Sequence, residues 1–214
     1  MPDRSEPNPI SGGRDGDSES AEVGGVLLAA GEGTRFEGGN KLLAEVEGTP
    51  IVRRAAKTLC RSSVDDIVAV VGHEADRVNE ALTDLDLTVR PNENFAAGQS
   101  TSVRVGVDAA ENADWDAVVF MLGDMPFVSP TTVDTLRAAY ANGDGTIVVP
   151  TYEEQRGNPV LFGRRHYDAL ATVSGDRGGR RLIEDHANAV RIDVDDSGVR
   201  RDVDYRADLE ETTG

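Results

Sequence analysis

An α/β domain with a doubly wound, mostly parallel sheet flanked by helices is what this sequence of 214 residues predicts. Three observations carry the prediction. Short apolar, β-branched runs alternate with runs of helical period, turn residues bound most segments, and a glycine-rich loop follows the first apolar run directly. The expected strands are "VGGVLLAA" (23–30), "DIVAVVG" (66–72), "LTVRP" (87–91), "DAVVFML" (116–122) and "TIVVP" (146–150), as befits strands buried on both faces. Between them "PIVRRAAKTLC" (50–60), "EADRVNEAL" (74–82), "STSVRVGVDAAE" (100–111) and "SPTTVDTLRAAYA" (129–141) keep apolar residues at helical spacing. Pro50 and Pro130 suit first-turn positions, and Ser129 is a natural N-cap. After residue 150 the pattern loosens: "GNPVLFG" reads as a strand or loop, "RRHYDALATV" and "GRRLIEDHA" as helices, "AVRIDVD" as a strand and "YRADLEE" as a last helix.

Residues 1–22 are polar, acidic and rich in Pro, Gly and Ser, so they lack the apolar area to offset their ordering entropy and are expected to form a disordered acidic tail. Residues 23–214 are then one domain. The tail has neither the basic start nor the apolar middle of a secretory signal, and no later run has the length of a membrane span, so a soluble, cytoplasmic protein is expected. Cys60, the only cysteine, sits in an apolar helix pattern and reads as core filling.

The formal charge of −17 arises from 39 acidic against 22 basic residues, of which only Lys41 and Lys57 are lysines. Duplex nucleic acid is thereby disfavoured as a partner, because phosphate contacts would meet net repulsion. Acidic composition with scarce lysine resembles proteins adapted to very high salt. There the screening length falls to roughly 3 Å at 1 M, and only contact-range cations count toward binding an anion.

The loop "AAGEGTRFEGGNK" offers such cations beyond the carboxyl end of the first strand, where open α/β sheets place ligands. Gly31 and Gly33 permit backbone NH groups to approach phosphate oxygens, and Arg35 and Lys41 add charge. A P-loop is excluded by the missing Gly-Lys-Ser/Thr ending. A dinucleotide fingerprint is disfavoured by Phe36 at the third glycine position and by Gly72, where an acidic ribose ligand belongs. "GQSTS" lacks the last glycine of a hydrolase elbow, the three histidines suggest no triad, and no zinc spacing is present. "DVDDSGVRRDVD" (193–204) nearly fits a calcium loop. It ends on Asp204 instead of a bidentate Glu and follows a strand-like flank, so a hairpin turn at "DDSG" is the better reading.

"LAAGEGTRFEGGNKLL" resembles the opening signature of nucleotidyltransferases built on the sugar-nucleotide pyrophosphorylase fold, a Rossmann-like architecture. "NENFAAGQSTSVRVGV", "MLGDMPFVSP", "GNPVLF", "VSGDRGGRRLIEDH" and "DVDYRADL" follow in the order and spacing of the molybdenum cofactor cytidylyltransferase branch. The resemblance implies that Leu28, Ala29, Ala30, Gly31, Gly33, Arg35 and Lys41 grip the triphosphate of an incoming NTP. It implies that Asp124 is the principal Mg²⁺ ligand with Asp204 the second, a donor set in keeping with the preference of magnesium for few carboxylates plus phosphate oxygens. Gly98 and Ser102 would approach the base, although Ser102 also has an explanation as a residue near a helix start. Asn158, Asp176 and Arg180 would face the acceptor. For Asp176 helix capping is the alternative, and for Arg177, Arg180 and Arg181 a solvated basic face.

The implied reaction is in-line attack of a pterin phosphate on the α-phosphorus of CTP, with Arg35, Lys41 and Asp124 as the catalytic group and pyrophosphate as the leaving group. The nucleophile needs no protein base, since a phosphate monoester has its second pKa near 6. A guanylyltransferase acting on molybdopterin, a cobamide precursor or phospholactate is the alternative within the class. A non-catalytic nucleotide-binding regulator is the alternative outside it. Two positions depart from the pattern. Glu37 stands where glycine is common, adding a negative charge beside the phosphate loop, and Tyr205 replaces the usual Thr after Asp204.

Overall fold

The computed structural model describes residues 21–33, 36, 39–173, 182–183, 189–205 and 207–208. Its centre is a mixed α/β sheet flanked by helices. Each expected strand up to residue 150 forms: β1 (Val23–Ala29), β4 (Ile67–Val71), β5 (Thr88–Pro91), β6 (Ala117–Leu122) and β7 (Ile147–Tyr152). β9 (Val160–Gly163) and β10 (Ala189–Asp193) complete the order β10-β7-β9-β6-β1-β4-β5. β1 pairs in parallel with both β4 and β6, and β4 with β5. β9 is antiparallel to β6 and to β7.

The helices form where the period of the sequence placed them: α1 (Ile51–Cys60), α2 (Ala75–Leu82), α3 (Gln99–Asn112), α4 (Pro130–Ala141) and a short α5 (Tyr167–Ala171). One face of the sheet packs Val23, Leu27 and Ala29 against Val52, Ala55 and Leu59 of α1, Val78 of α2 and Leu136 of α4. The other packs Val26, Val118 and Phe120 against Val103 and Val107 of α3 and Leu170 of α5. Alternate residues of β1 thus serve opposite cores, which is why its sequence is apolar throughout.

Ser129 caps α4 as expected, its side chain accepting from the Thr131 amide with Pro130 in the first turn. Pro50 differs. It is the N-cap of α1 and the last residue of a small hairpin, β2 (Glu45–Val46) with β3 (Thr49–Pro50), turned through Glu47 and Gly48, both at positive φ. A second short hairpin joins β7 to β8 (Gln155–Arg156) through Glu153 and Glu154. The hairpin turn expected at "DDSG" does not form. Asp196 instead caps a 3-10 turn over Ser197–Arg200, accepting from the Gly198 amide at 2.9 Å, and its other oxygen receives the Ser129 amide and the Thr132 hydroxyl. A carboxylate with three protein donors is a structural brace and not a calcium ligand. The expected tail at 1–22 and the expected helix in 179–187 fall almost wholly outside the described residues, as does most of the last helix expected at 205–211.

Candidate functional site

A cavity of about 480 Å³ opens at the carboxyl ends of β1 and β6, between the glycine loop and the start of α3. Leu28, Ala30, Gly31, Gly33 and Lys41 line it from the loop side, Gly98 and Ser102 from the α3 side, and Asp124 and Asp204 form its acidic end. Its size falls within the range of roughly 300–1,000 Å³ usual for small-molecule sites.

The loop is shaped by local necessity. Gly33 has φ +57 and a Cβ there would stand 2.9 Å from Lys41 Cγ, so only glycine lets the lysine stem lie against the loop. Gly72, at the end of β4, abuts Ala30: a Cβ would meet the Ala30 Cβ at 2.8 Å and its carbonyl oxygen at 2.9 Å. Asn40 then caps a 3-10 turn over Lys41–Leu43, its side-chain oxygen accepting from the Leu42 amide at 3.0 Å. That turn aims Lys41 inward.

Lys41 Nζ donates to Asp124 Oδ2 at 2.6 Å and to Asp204 Oδ1 at 2.9 Å. The three side chains are 13%, 19% and 32% exposed. Burial works to lower the Lys41 pKa, yet the Asp124 charge and hydrogen bond, reinforced by Asp204, hold it above the usual lysine value. Asp204 is brought from far along the chain because the Val203 amide donates to the Asp124 carbonyl at 2.9 Å. Asp208 Oδ2 then accepts from the Asp204 and Tyr205 amides at 2.8 and 2.7 Å, fixing the turn that presents the carboxylate. Sequence reasoning passed over Asp208, though its position four residues after Asp204 is the local signature of side-chain capping.

Asp124 Oδ1 is buried and has no hydrogen-bond partner among the described residues. An orphaned carboxylate oxygen of this kind costs about 1–3 kcal/mol or more unless a cation takes it up. Asp124 and Asp204 therefore fit a divalent ion that also takes oxygens from a bound ligand. Among the described residues no group of three or more His, Cys, Asp or Glu is placed to hold a metal ion.

The wall at the start of α3 rests on Asn92, 4% exposed and also unforeseen from the sequence. Its Nδ2 donates to Thr101 Oγ1 at 2.8 Å and Ser102 Oγ at 3.0 Å, while its Oδ1 accepts from the Asn94 amide. Thr101 returns a bond to the Gly98 carbonyl at 2.8 Å. Gly98 and Ser102 are thus held in one network. Phe95 and Gln99 complete this wall.

Other sequence expectations fare differently. Ala29 turns away from the cavity into the core, 1% exposed, so only its backbone belongs to the loop's base. Asn158 precedes a cis proline, its amide donates to the Val199 carbonyl at 2.8 Å, and it is not among the residues that line the cavity. Arg35, Glu37, Asp176, Arg177, Arg180 and Arg181 lie outside the described residues. Cys60 is half-buried and packs against the core, with burial raising its thiol pKa, the opposite of an activated nucleophile. Among the described residues no helix is long and apolar enough to cross a membrane.

The family model described as MobA-like NTP transferase domain matches residues 25–190. The nicotine blue oxidoreductase of Paenarthrobacter nicotinovorans is 31% identical over 201 residues, covering 88% of this chain and 95% of that protein. The bifunctional protein GlmU of Allorhizobium ampelinum is 30% identical over 143 residues, covering 65% of this chain but only 30% of the longer relative. The crystal structure of Rv0371c from Mycobacterium tuberculosis superposes with a TM-score of 0.75 at 26% identity, over 90% of this chain and 97% of that one. The same protein in complex with manganese gives 0.73 at 25%, over 89% and 97%.

Proposed function

The chain belongs to the family of MobA-like NTP transferase domains, and from that premise we propose that it is a magnesium-dependent cytidylyltransferase that moves CMP from CTP onto the phosphate of molybdopterin or molybdenum cofactor and releases pyrophosphate. The catalytic unit in this reading is residues 23–214. The observation that carries the nucleotidyl transfer is the convergence of Lys41, Asp124 and Asp204 at one end of a cavity roofed by Gly31 and Gly33. The choice of a pterin acceptor rests on the order and spacing of the resembling motifs, and that of cytidine on "LAAG", "GDMP" and "GDRGGRR".

The glycine loop binds the triphosphate through backbone amides, and Lys41, with Arg35 beside it in sequence, neutralises charge as it accumulates on the leaving pyrophosphate. Gly98 and Ser102, held by Asn92, orient the base. An acceptor phosphate oxygen forms a new bond to the α-phosphorus while the bond to pyrophosphate breaks. Held by Asp124 and Asp204, a magnesium ion would supply further electrostatic stabilisation of the phosphates. The manganese complex of Rv0371c supports a divalent ion in proteins of this shape.

One relative spanning nearly the whole chain is named an oxidoreductase, which makes redox chemistry the alternative reading. NAD sites of the common α/β type place an acidic residue at the end of the second sheet strand. Here that place is Gly72, so tightly packed on Ala30 that no side chain fits. Pyrophosphate release by the full chain with Mg²⁺ and each of the four NTPs, with and without molybdopterin, is the test. CTP with molybdopterin is expected to be the productive pair. Pyrophosphate formed only with GTP, or only with a different acceptor, overturns the specific assignment, and acceptor-dependent NADH or NADPH oxidation without pyrophosphate overturns the class.

A further inference from the structure

A second cavity, of about 430 Å³, lies on the outer side of α1 against the segment that follows the candidate metal carboxylate. Arg54, Lys57 and Arg61 enter it from one side at helical spacing, and Pro126, Phe127 and Val128 form the opposite wall. Among the described residues no carboxylate lines it, in a chain with 39 acidic residues. One of the chain's two lysines stands in the nucleotide cavity and the other stands here.

The cations are only partly accounted for by the protein itself. Arg54 pairs with Glu47 at 2.7 Å and donates to the Val46 carbonyl. Lys57 and Arg61 show no ion pair or side-chain hydrogen bond among the described residues. Their place in the last turn and C-cap of α1 suits the helix dipole, which explains a positive charge there and leaves the walled cavity and Arg54 unexplained. The wall is fixed: Thr58 donates to the Val128 carbonyl at 2.8 Å, and Arg201 lies 4.2 Å from the centre of the Phe127 ring. Three unlike-placed cations against a rigid apolar wall form a concave region of positive potential on an acidic molecule, the electrostatic arrangement that concentrates small anions.

We propose that this cavity binds an oxyanion-bearing small molecule of the phosphate class, at a site separate from the nucleotide cavity. Arg61 and Arg54 supply forked donors and Lys57 a point charge, the combination suited to a tetrahedral oxyanion. The two cavities share no lining residue, so the inference stands whether or not the nucleotidyl transfer reading does.

The test is titration of the full chain with inorganic phosphate at ionic strength held constant with sodium chloride, followed by backbone amide NMR shifts. Saturable shifts are expected at residues 57–61 and 127–128. Loss of two charge-assisted contacts in Lys57→Ala with Arg61→Ala should weaken this response about ten-fold or more. Lys41→Ala should leave it intact, which separates it from phosphate binding at the nucleotide cavity. Unsaturable shifts, an equal response to chloride, or an unchanged response in the double variant would each overturn the proposal. Arg54→Gln, a single change at a half-buried side chain, provides the same reading should the double variant fold poorly.

Discussion

The Lys41 ammonium stands 2.6 Å from Asp124 Oδ2, joining groups 83 residues apart in sequence. With Asp204 on its other side, Lys41 neutralises the same carboxylates that a divalent ion would use. In the proposed reaction lysine and ion would therefore compete for these carboxylates until phosphates received the lysine. Lys41→Ala should therefore tighten binding of Mn²⁺ to the nucleotide-free protein, read by calorimetry. It should also slow turnover about 100-fold, given that one positioned donor is worth about 3 kcal/mol. A parallel fall in both quantities would contradict competition.

Asp124→Ala removes the buried carboxylate whose Oδ1 has no protein partner. Turnover should drop by at least the same order, with the thermal midpoint near that of the parent. Near-normal turnover in a folded variant would end the metal assignment.

Asp208 does not line the cavity yet holds the backbone on either side of the Asp204 to Tyr205 link. Asp208→Ala should raise the Mg²⁺ concentration required for half-maximal rate several-fold, while the rate at saturating Mg²⁺ changes little. Asp208→Asn, which keeps an acceptor oxygen, should recover most of the difference.

Asn92 bonds two hydroxyls and one amide from a buried position. Asn92→Ala removes a hydrogen bond from the Ser102 hydroxyl, one from the Asn94 amide and one of those of Thr101, at a cost of about 1–3 kcal/mol measurable by urea denaturation. Because Ser102 and Gly98 lose their common support, KM for the nucleotide should rise more than kcat falls.

Tyr167 is buried, and burial pushes its phenol well above the ordinary value while its hydroxyl donates to the Trp115 carbonyl. A raised folded pKa means that the unfolded chain releases this proton first. The stability that Tyr167 contributes is intact below the unfolded value of about 10 and is lost as pH climbs above it. Tyrosinate absorbance should accordingly show a late fraction that appears only together with loss of the folded signal. Tyr167→Phe should blunt the alkaline loss.

The strands, the helices and the glycine loop were legible because burial on two faces leaves continuous apolar runs and helix contact leaves a 3.6-residue period. The hairpins at Glu47–Gly48 and Glu153–Glu154 were not, since strands of two residues carry no period and only a backbone at positive φ marks them. "DDSG" misled for a related reason. Asp196 looks like a turn residue in sequence, and its capping of one element while bracing α4 depends on contacts 64 and 67 residues away. At the site, Lys41, Asp124 and Asp204 were expected together and lie together. Asn92 and Asp208 escaped notice because each acts through another residue, and polar side chains that serve backbone or neighbouring hydroxyls leave no chemical motif.

β1 and β6 run side by side in the interior of the sheet, with β4 outside one and β9 outside the other. Neither can open without surrendering ladders along both of its edges, whereas among the described residues β5 and β10 at the margins are bonded along one edge. Amide protons under the glycine loop and under Asp124 should consequently outlast those of the margins in deuterium exchange. The sheet's rim can then breathe while the platform beneath Lys41 and Asp124 stays still.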